Sequence, residues 1–140
     1  MLRNFTLGIL LALSAVVSAQ TLDQPFKGHF VNRENNVHLH IDLYEESLIA
    51  PGYGFLGNVP GYINGKVYGT WLMVSHKVKN NRQATLRFTN DIGSDAQNIE
   101  IEILNDSTLF YRATGPAVIK KVVNRKLIKI PTQFQMIRVN

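Results

Sequence analysis

Short runs of alternating apolar and polar residues follow one another through most of this chain, and Gly, Pro, Asn or Asp separates them every ten residues or so. Successive side chains of a β-strand point to opposite faces, so this period of two predicts half-buried strands. In the segment 99–103, three isoleucines alternate with two glutamates. About eight such strands are predicted, with no amphipathic helix longer than a turn or two.

Many long antiparallel strands in a small domain would leave unpaired edges. Closing the sheet into a barrel removes these edges. The sequence therefore predicts an all-β fold, a single antiparallel β-barrel of about eight strands. The interior of such a barrel is either filled by side chains or wide enough to hold one small ligand.

The first predicted hairpin has its turn at residues 33–36. If this turn centres on Glu34 and Asn35, His29 lies directly opposite His40, and His38 shares the same face. Three imidazoles on one patch can ligate a divalent ion, with Asp42 or Tyr44 as a neighbouring ligand. The candidate metal ligands are therefore His29, His38 and His40. The alternative is a polar outer face that happens to use histidine.

The segment 52–57 has the glycine spacing of a nucleotide-binding loop. Such a loop needs a helix after it, because the helix N-terminus helps to bind the phosphate. Here Pro60 and a predicted hairpin follow instead. Pro51-Gly52 and Pro60-Gly61 favour turns with glycine at positive φ, and Asn64-Gly65 predicts a tight hairpin turn. No nucleotide or other cofactor is predicted.

Residues 1–19 have the pattern of a secretory signal peptide: a basic start, an apolar run and small residues before a cleavage point after Ala19. Residues 20–140 then form one domain, the barrel. There is no cysteine, hence no lipid-modified cysteine and no disulfide framework. These features predict a periplasmic or secreted protein, and no later segment is apolar enough to span a membrane.

Basic charge is concentrated at the end of the chain, because residues 107–140 contain seven Lys or Arg and no acidic residue. The predicted basic surface comprises Lys120, Lys121, Arg125 and Lys126. Such a surface attracts an acidic protein or a glycan. Nucleic acid is not an expected partner of an exported protein, and aromatic residues do not interleave with these cations as stacking platforms would.

Gly28-His29-Phe30 opens the first strand, and Arg138 lies near the end of the last. This pattern resembles the lipocalin, fatty-acid-binding and avidin group of barrels, which begin with Gly-x-Trp and close with an arginine packed over the aromatic ring. Phenylalanine replaces the tryptophan here. The resemblance implies a barrel with a ligand cavity.

Three functions follow from these patterns. The first is an exported, non-catalytic barrel that binds a small apolar or amphipathic ligand in its interior, although the same residues can simply be core. Its predicted lining is Phe30, Leu39, Ile41, Phe55, Tyr62, Trp71 and Phe88. The second is a protein-interaction or inhibitor module that uses its basic C-terminal face or its Gly/Tyr-rich loop. The third is a small metal-dependent enzyme at the histidines. The chain lacks a cysteine nucleophile and a Gly-x-Ser-x-Gly elbow, which favours a non-catalytic protein.

Overall fold

A computed structural model describes residues 23–140. The predicted signal peptide, residues 1–19, lies outside the described residues. The described part contains ten strands: β1 Lys27–Asn32, β2 Val37–Asp42, β3 Gly61–Gly65, β4 Trp71–Val78, β5 Gln83–Asn90, β6 Ala96–Asn105, β7 Thr108–Thr114, β8 Lys120–Val123, β9 Lys126–Lys129 and β10 Gln133–Arg138. A 3-10 turn covers Gly54–Leu56. No helix among residues 23–140 is long and apolar enough to cross a membrane.

Eight of the strands close into an antiparallel barrel. Each strand from β1 to β6 pairs with the next along the chain, and β10 lies between β7 and β1. Strands β8 and β9 form a separate two-stranded sheet, and a single antiparallel bridge joins Lys121 of β8 to Val67. The predicted all-β barrel is confirmed, and closure pairs both edges that an open sheet would expose.

The register of the first hairpin is the predicted one. His29 lies opposite His40, and Phe30 lies opposite Leu39. In the turn, the Asn32 side-chain oxygen accepts a hydrogen bond from the Asn35 backbone N–H at 2.9 Å, and Asn36 adopts a positive φ of 51°. A shift of one residue would move the histidines into the core and the apolar residues into water, so burial and the turn specify the same pairing.

Side chains fill the interior of the barrel. The inward-facing residues of its eight strands, together with residues that cover its ends, form one buried hydrophobic cluster. Among its most buried members are Phe30, Leu39, Ile41, Ile63, Leu86, Phe88, Ile99, Ile101, Leu109 and Tyr111. Tyr111 also stacks on the half-buried Phe134, with ring centroids 4.2 Å apart. The barrel axis is therefore occupied by packed apolar side chains.

One end of the barrel is closed by Arg138. Its guanidinium carbon lies 4.5 Å from the centroid of the Phe30 ring, and the group donates hydrogen bonds to the backbone carbonyls of Asp106, Lys27 and Pro25. A Cβ atom on Gly28 would lie 2.5 Å from the Arg138 Nη1 atom, so a larger residue would push the guanidinium out of its present position. We call Gly28, Phe30 and Arg138 the arginine clasp. It joins the first barrel strand to the last.

The hairpin of β8 and β9, residues 120–129, lies across the opposite end, and we call it the cap hairpin. The Tyr68 N–H donates to the Lys120 carbonyl at 2.7 Å, and the Lys121 ammonium donates to the Asn35 side-chain oxygen at 2.9 Å. Ile119 and Ile130, at the base of the hairpin, are buried in the core. The hairpin is therefore docked on two of the loops at this end.

Two glycine predictions are wrong in detail. Asn64-Gly65 ends β3 and does not form a two-residue turn, because the connection to β4 spans residues 66–70. Gly65 instead permits a close approach, since a Cβ there would lie 2.3 Å from the Asn36 carbonyl oxygen. Gly61 begins β3 and does not have a positive φ. A Cβ on Gly61 would lie 2.8 Å from the His40 carbonyl oxygen.

The glycine-rich segment, residues 52–57, forms turns. Gly52 has φ of 83°, and the Tyr53 N–H donates to the Ala50 carbonyl at 2.9 Å, so the predicted Pro51-Gly52 turn is confirmed. After the 3-10 turn, the chain continues into β3 rather than into a helix. A phosphate-binding loop requires a helix directly after it, and here a strand follows instead.

Candidate functional site

A cleft of about 520 Å³ opens at the cap end of the barrel, between the start of β4, the turn from β5 to β6, and the cap hairpin. Small-molecule sites usually have volumes of about 300–1,000 Å³. The cleft is lined by Tyr68, Gly69, Trp71, Asn90, Asp91, Ile92, Ser94, Asp95, Val118, Lys120 and Leu127. We call this the mouth cleft.

Trp71 forms part of the wall of the mouth cleft and is the chain's single tryptophan. Its side chain is 3% exposed, and its indole N–H is buried without a hydrogen-bond acceptor. Leaving such a donor unpaired costs about 1–3 kcal/mol. Because the nitrogen itself has almost no exposed surface, a bound molecule could supply that acceptor only after the indole ring had turned toward the cleft.

The polar rim of the mouth cleft is held by local hydrogen bonds. The Asn90 side chain donates to the Ser94 hydroxyl at 2.9 Å and accepts from the Asp95 backbone N–H at 3.2 Å. The Asp91 carboxylate accepts from the Tyr53 hydroxyl at 2.5 Å, and this bond raises the pKa of Tyr53. The turn therefore presents its amide and carboxylate groups in a fixed arrangement.

Apolar side chains surround this polar rim. Tyr68, Ile92 and Leu127 line the cleft and are all largely exposed to solvent. Lys120 contributes a cation from the cap hairpin. The cleft thus combines an apolar wall with groups that donate hydrogen bonds and groups that accept them.

A second cluster lies on the outer face of β1 and β2. Ring nitrogens of His29, His38 and His40 all lie within 4.8 Å of one another. The His29 Nε2 and His38 Nδ1 atoms are 2.8 Å apart, and the His29 and His40 rings stack with centroids 4.0 Å apart. Tyr62 stacks on the opposite side of His40 at 4.3 Å. The predicted histidine patch is present, and we call it the histidine triad.

The surroundings of the histidine triad favour neutral rings. Burial, and then the neighbouring His38, lower the pKa of His29. Burial, followed by the proximity of His29 and His38, lowers the pKa of His40 to about 4, although a hydrogen bond with Asn64 opposes the shift. At neutral pH both His29 and His40 therefore hold unprotonated nitrogens.

The two extra ligands considered beside the histidines are engaged elsewhere. Asp42 is fully buried and accepts hydrogen bonds from the Ser47 hydroxyl at 2.5 Å and from the Tyr44 and Glu45 backbone N–H groups at 3.1 Å. Burial alone would raise the pKa of Asp42, but these bonds outweigh burial and lower it. The Tyr44 hydroxyl accepts from the Phe26 N–H at 3.0 Å.

The predicted ligand-lining residues occupy three different places. Five of them are members of the packed core: Phe30, Leu39, Ile41, Trp71 and Phe88. Tyr62 lies on the outside of the barrel against His40, and Phe55 is 81% exposed in the 3-10 turn. Of the seven, only Trp71 also lines the mouth cleft.

The predicted basic surface, Lys120, Lys121, Arg125 and Lys126, lies on the cap hairpin beside the mouth cleft. Sequence reasoning missed several lining residues, namely Asn90, Ser94, Val118 and Leu127. They come from segments far apart in the chain, so no local pattern connects them. The only feature of the sequence that could have indicated this part of the cleft is the concentration of Asn, Asp and Ser at residues 90–95.

No protein-family model, curated protein or solved structure matches this chain.

Proposed function

We propose that this protein is a non-catalytic, lipocalin-like binding barrel, exported to the periplasm or beyond, that holds a small amphipathic molecule in its mouth cleft. The observation that carries the proposal is a cleft of ligand size whose lining combines the chain's single tryptophan with charged and apolar side chains. Pockets of this kind pair an apolar lining with a few convergent polar groups.

The packing of the core favours binding at the mouth over binding in the interior. Phe30, Leu39 and Phe88 meet inside the barrel with at most 1% of their surface exposed. A ligand along the axis would have to displace such residues, and opening a packed core costs several kcal/mol. Binding at the mouth needs no such rearrangement.

The polar groups of the cleft favour an uncharged, hydroxyl-rich head. Asp91 and Asp95 carry hydrogen-bond acceptors, whereas Lys120 carries donors. Because both signs of charge are present, a neutral head with several hydroxyls can satisfy donors and acceptors together. Tyr68, Ile92 and Leu127 offer an apolar surface to the remainder of the molecule. The ligand class is therefore a glycolipid-like amphiphile.

The arginine clasp supports the lipocalin-like part of the proposal. Gly28, Phe30 and Arg138 have the positions and the contact that the resemblance implies, an arginine packed over the aromatic residue of the first strand. The continuous up-and-down strand order of the barrel agrees with the same group. Because the clasp occupies one end of the barrel, we favour the opposite end for ligand binding.

Decyl maltoside, kept below the concentration at which it forms micelles, is a suitable probe. We expect saturable binding with a Kd on the order of 10–100 μM, because a partly open cleft covers only part of the ligand. The fluorescence of Trp71, the single tryptophan, reports binding directly. Decanoate, which has a similar chain and an anionic head, should bind about tenfold more weakly.

A matched pair of variants separates cleft binding from general adhesion to the cap hairpin. Leu127 lines the cleft, whereas its neighbour Ile128 does not, and the two are 50% and 44% exposed. Leu127→Ser should weaken decyl maltoside binding by about fivefold or more through lost apolar contact, and Ile128→Ser should leave it unchanged. Equal effects of the two substitutions, or no saturable binding by the unaltered protein, would refute the proposal.

A further inference from the structure

The histidine triad lies apart from the mouth cleft, since none of its three residues lines that cleft. Its position follows from the β1–β2 register. His29 and His40 are cross-strand partners, and His38 is two residues before His40 on the same outer face. Two rigid, paired strands therefore fix the relative positions of three imidazoles.

The spacing of the ring nitrogens suits a common metal ion. Nitrogens bound at about 2.1 Å to one tetrahedral ion lie about 3.4 Å apart. In the structure the three ligand atoms lie within 4.8 Å of one another, and two of them are 2.8 Å apart. The His29 and His40 rings are stacked with an interplanar angle of 18°, so binding one ion requires the rings to rotate until their nitrogen lone pairs converge.

Neighbouring groups orient the rings. The His38 Nε2 atom lies 3.0 Å from the Asn36 side-chain oxygen, so the ring carries its proton on Nε2 and leaves the lone pair of Nδ1 facing His29. Metal-binding histidines commonly donate their other N–H in this way, which fixes the tautomer and the ring direction. Gly65 packs against the same ring, because a Cβ there would lie 2.8 Å from the His38 Cδ2 atom.

One side of the triad borders open space. A groove of about 320 Å³ is lined by His29, His40, Lys27, Gly28, Ile41, Leu48 and Asn140. Three imidazoles with an open fourth position characterise zinc sites that bind water or an external ligand. Imidazole ligands, with no thiolate or carboxylate among them, suit Zn²⁺ and Cu²⁺ rather than Mg²⁺ or Ca²⁺.

From this geometry we infer that His29, His38 and His40 bind one divalent transition-metal ion, Zn²⁺ or Cu²⁺, as an open three-histidine centre on the outside of the barrel. The groove supplies the fourth ligand as water or as a small molecule from solution. On binding, the proton shared between the His29 and His38 nitrogens moves away from the metal, to the second nitrogen of His29. The ion would link β1 to β2 and stabilise their pairing.

The test is a Zn²⁺ titration of untagged protein against a chromophoric chelator. We expect one Zn²⁺ per chain with a Kd of about 1 μM or tighter, and a loss of about 30-fold or more in His38→Gln and in His40→Gln. His76, the chain's fourth histidine, contacts Glu46 instead and is the matched control. His76→Gln should bind Zn²⁺ within about twofold of the unaltered protein.

Binding weaker than about 1 mM, or equal effects of the His38 and His76 substitutions, would overturn the inference. If the triad variants do not fold, the unaltered protein still gives a decisive result. Zn²⁺ should shift the imidazole NMR signals of the three triad histidines and leave those of His76 unmoved. Shifts at His76 alone, or at no histidine, would also overturn it. None of these outcomes depends on the mouth cleft, because the detergent titration uses a different part of the surface.

Discussion

Replacing Arg138 by methionine should remove the arginine clasp while keeping an unbranched side chain of comparable length over Phe30. The substitution deletes one cation–π contact at 4.5 Å and three hydrogen bonds to backbone carbonyls. It also leaves space beside Gly28, whose missing Cβ accommodates the guanidinium. The variant therefore tests the contact that joins the two terminal strands of the barrel.

The expected loss is the sum of two contributions. A partly exposed cation–π contact contributes about 1 kcal/mol. The Pro25 carbonyl is partly buried and contributes about 1 kcal/mol, whereas the exposed Lys27 and Asp106 carbonyls can bond to water instead and contribute about 0.5 kcal/mol each. Arg138→Met should therefore lower the free energy of unfolding by about 3 kcal/mol, with Tm lower by about 12 °C.

Urea unfolding followed by Trp71 fluorescence measures this loss, because the single tryptophan is in the core. Arg87→Met is the matched control, since Arg87 donates one exposed hydrogen bond to the Asn98 side chain. The control should change stability by no more than about 0.5 kcal/mol. If Arg138→Met were no more destabilising than Arg87→Met, the clasp would not hold the barrel closed.

Two further predictions concern stability. Burial raises the pKa of Tyr111, so above pH 10 the unfolded chain loses this proton before the folded one does, and the free energy of unfolding falls as pH rises. In urea titrations at alkaline pH, Tyr111→Phe should make the free energy of unfolding fall less steeply, by up to about 1.4 kcal/mol per pH unit. If the variant and the unaltered protein had the same pH dependence, this prediction would be wrong. At the tip of the cap hairpin, Asn124 and Arg125 have φ of 51° and 65°, so Arg125→Gly should stabilise the protein by about 0.5–1 kcal/mol in the same assay. A destabilised Arg125→Gly variant would show that the Arg125 side chain contributes more than its backbone strain costs.

The barrel and the histidine triad were predictable because both depend on local periodicity. Alternation fixes which face each residue occupies, and the turn at residues 33–36 then fixes that His29 meets His40. The histidine inference needs only one hairpin, and closure of the barrel follows from the need to pair the two edges of the sheet.

The mouth cleft was not predictable, because it depends on where the cap hairpin lies. Residues 119–130 mix apolar and basic residues around a central turn, so composition alone cannot exclude them from the barrel. The turn Asn124-Arg125 lacks the glycine that normally marks a tight hairpin, although it adopts the same positive φ angles. Docking through Asn35 and Tyr68 is a long-range event that no short window of sequence contains.

The pairing of the first strand with the last has a consequence for biogenesis. Lys27 and Arg138 are 111 residues apart, and their contact forms only after nearly the entire described chain is available. Until then, β1 and β7 each present an open row of amide and carbonyl groups that other chains can join. Folding should accordingly be slow and prone to aggregation at high protein concentration. A chaperone that shields those two edges until synthesis is complete would raise the yield of native protein.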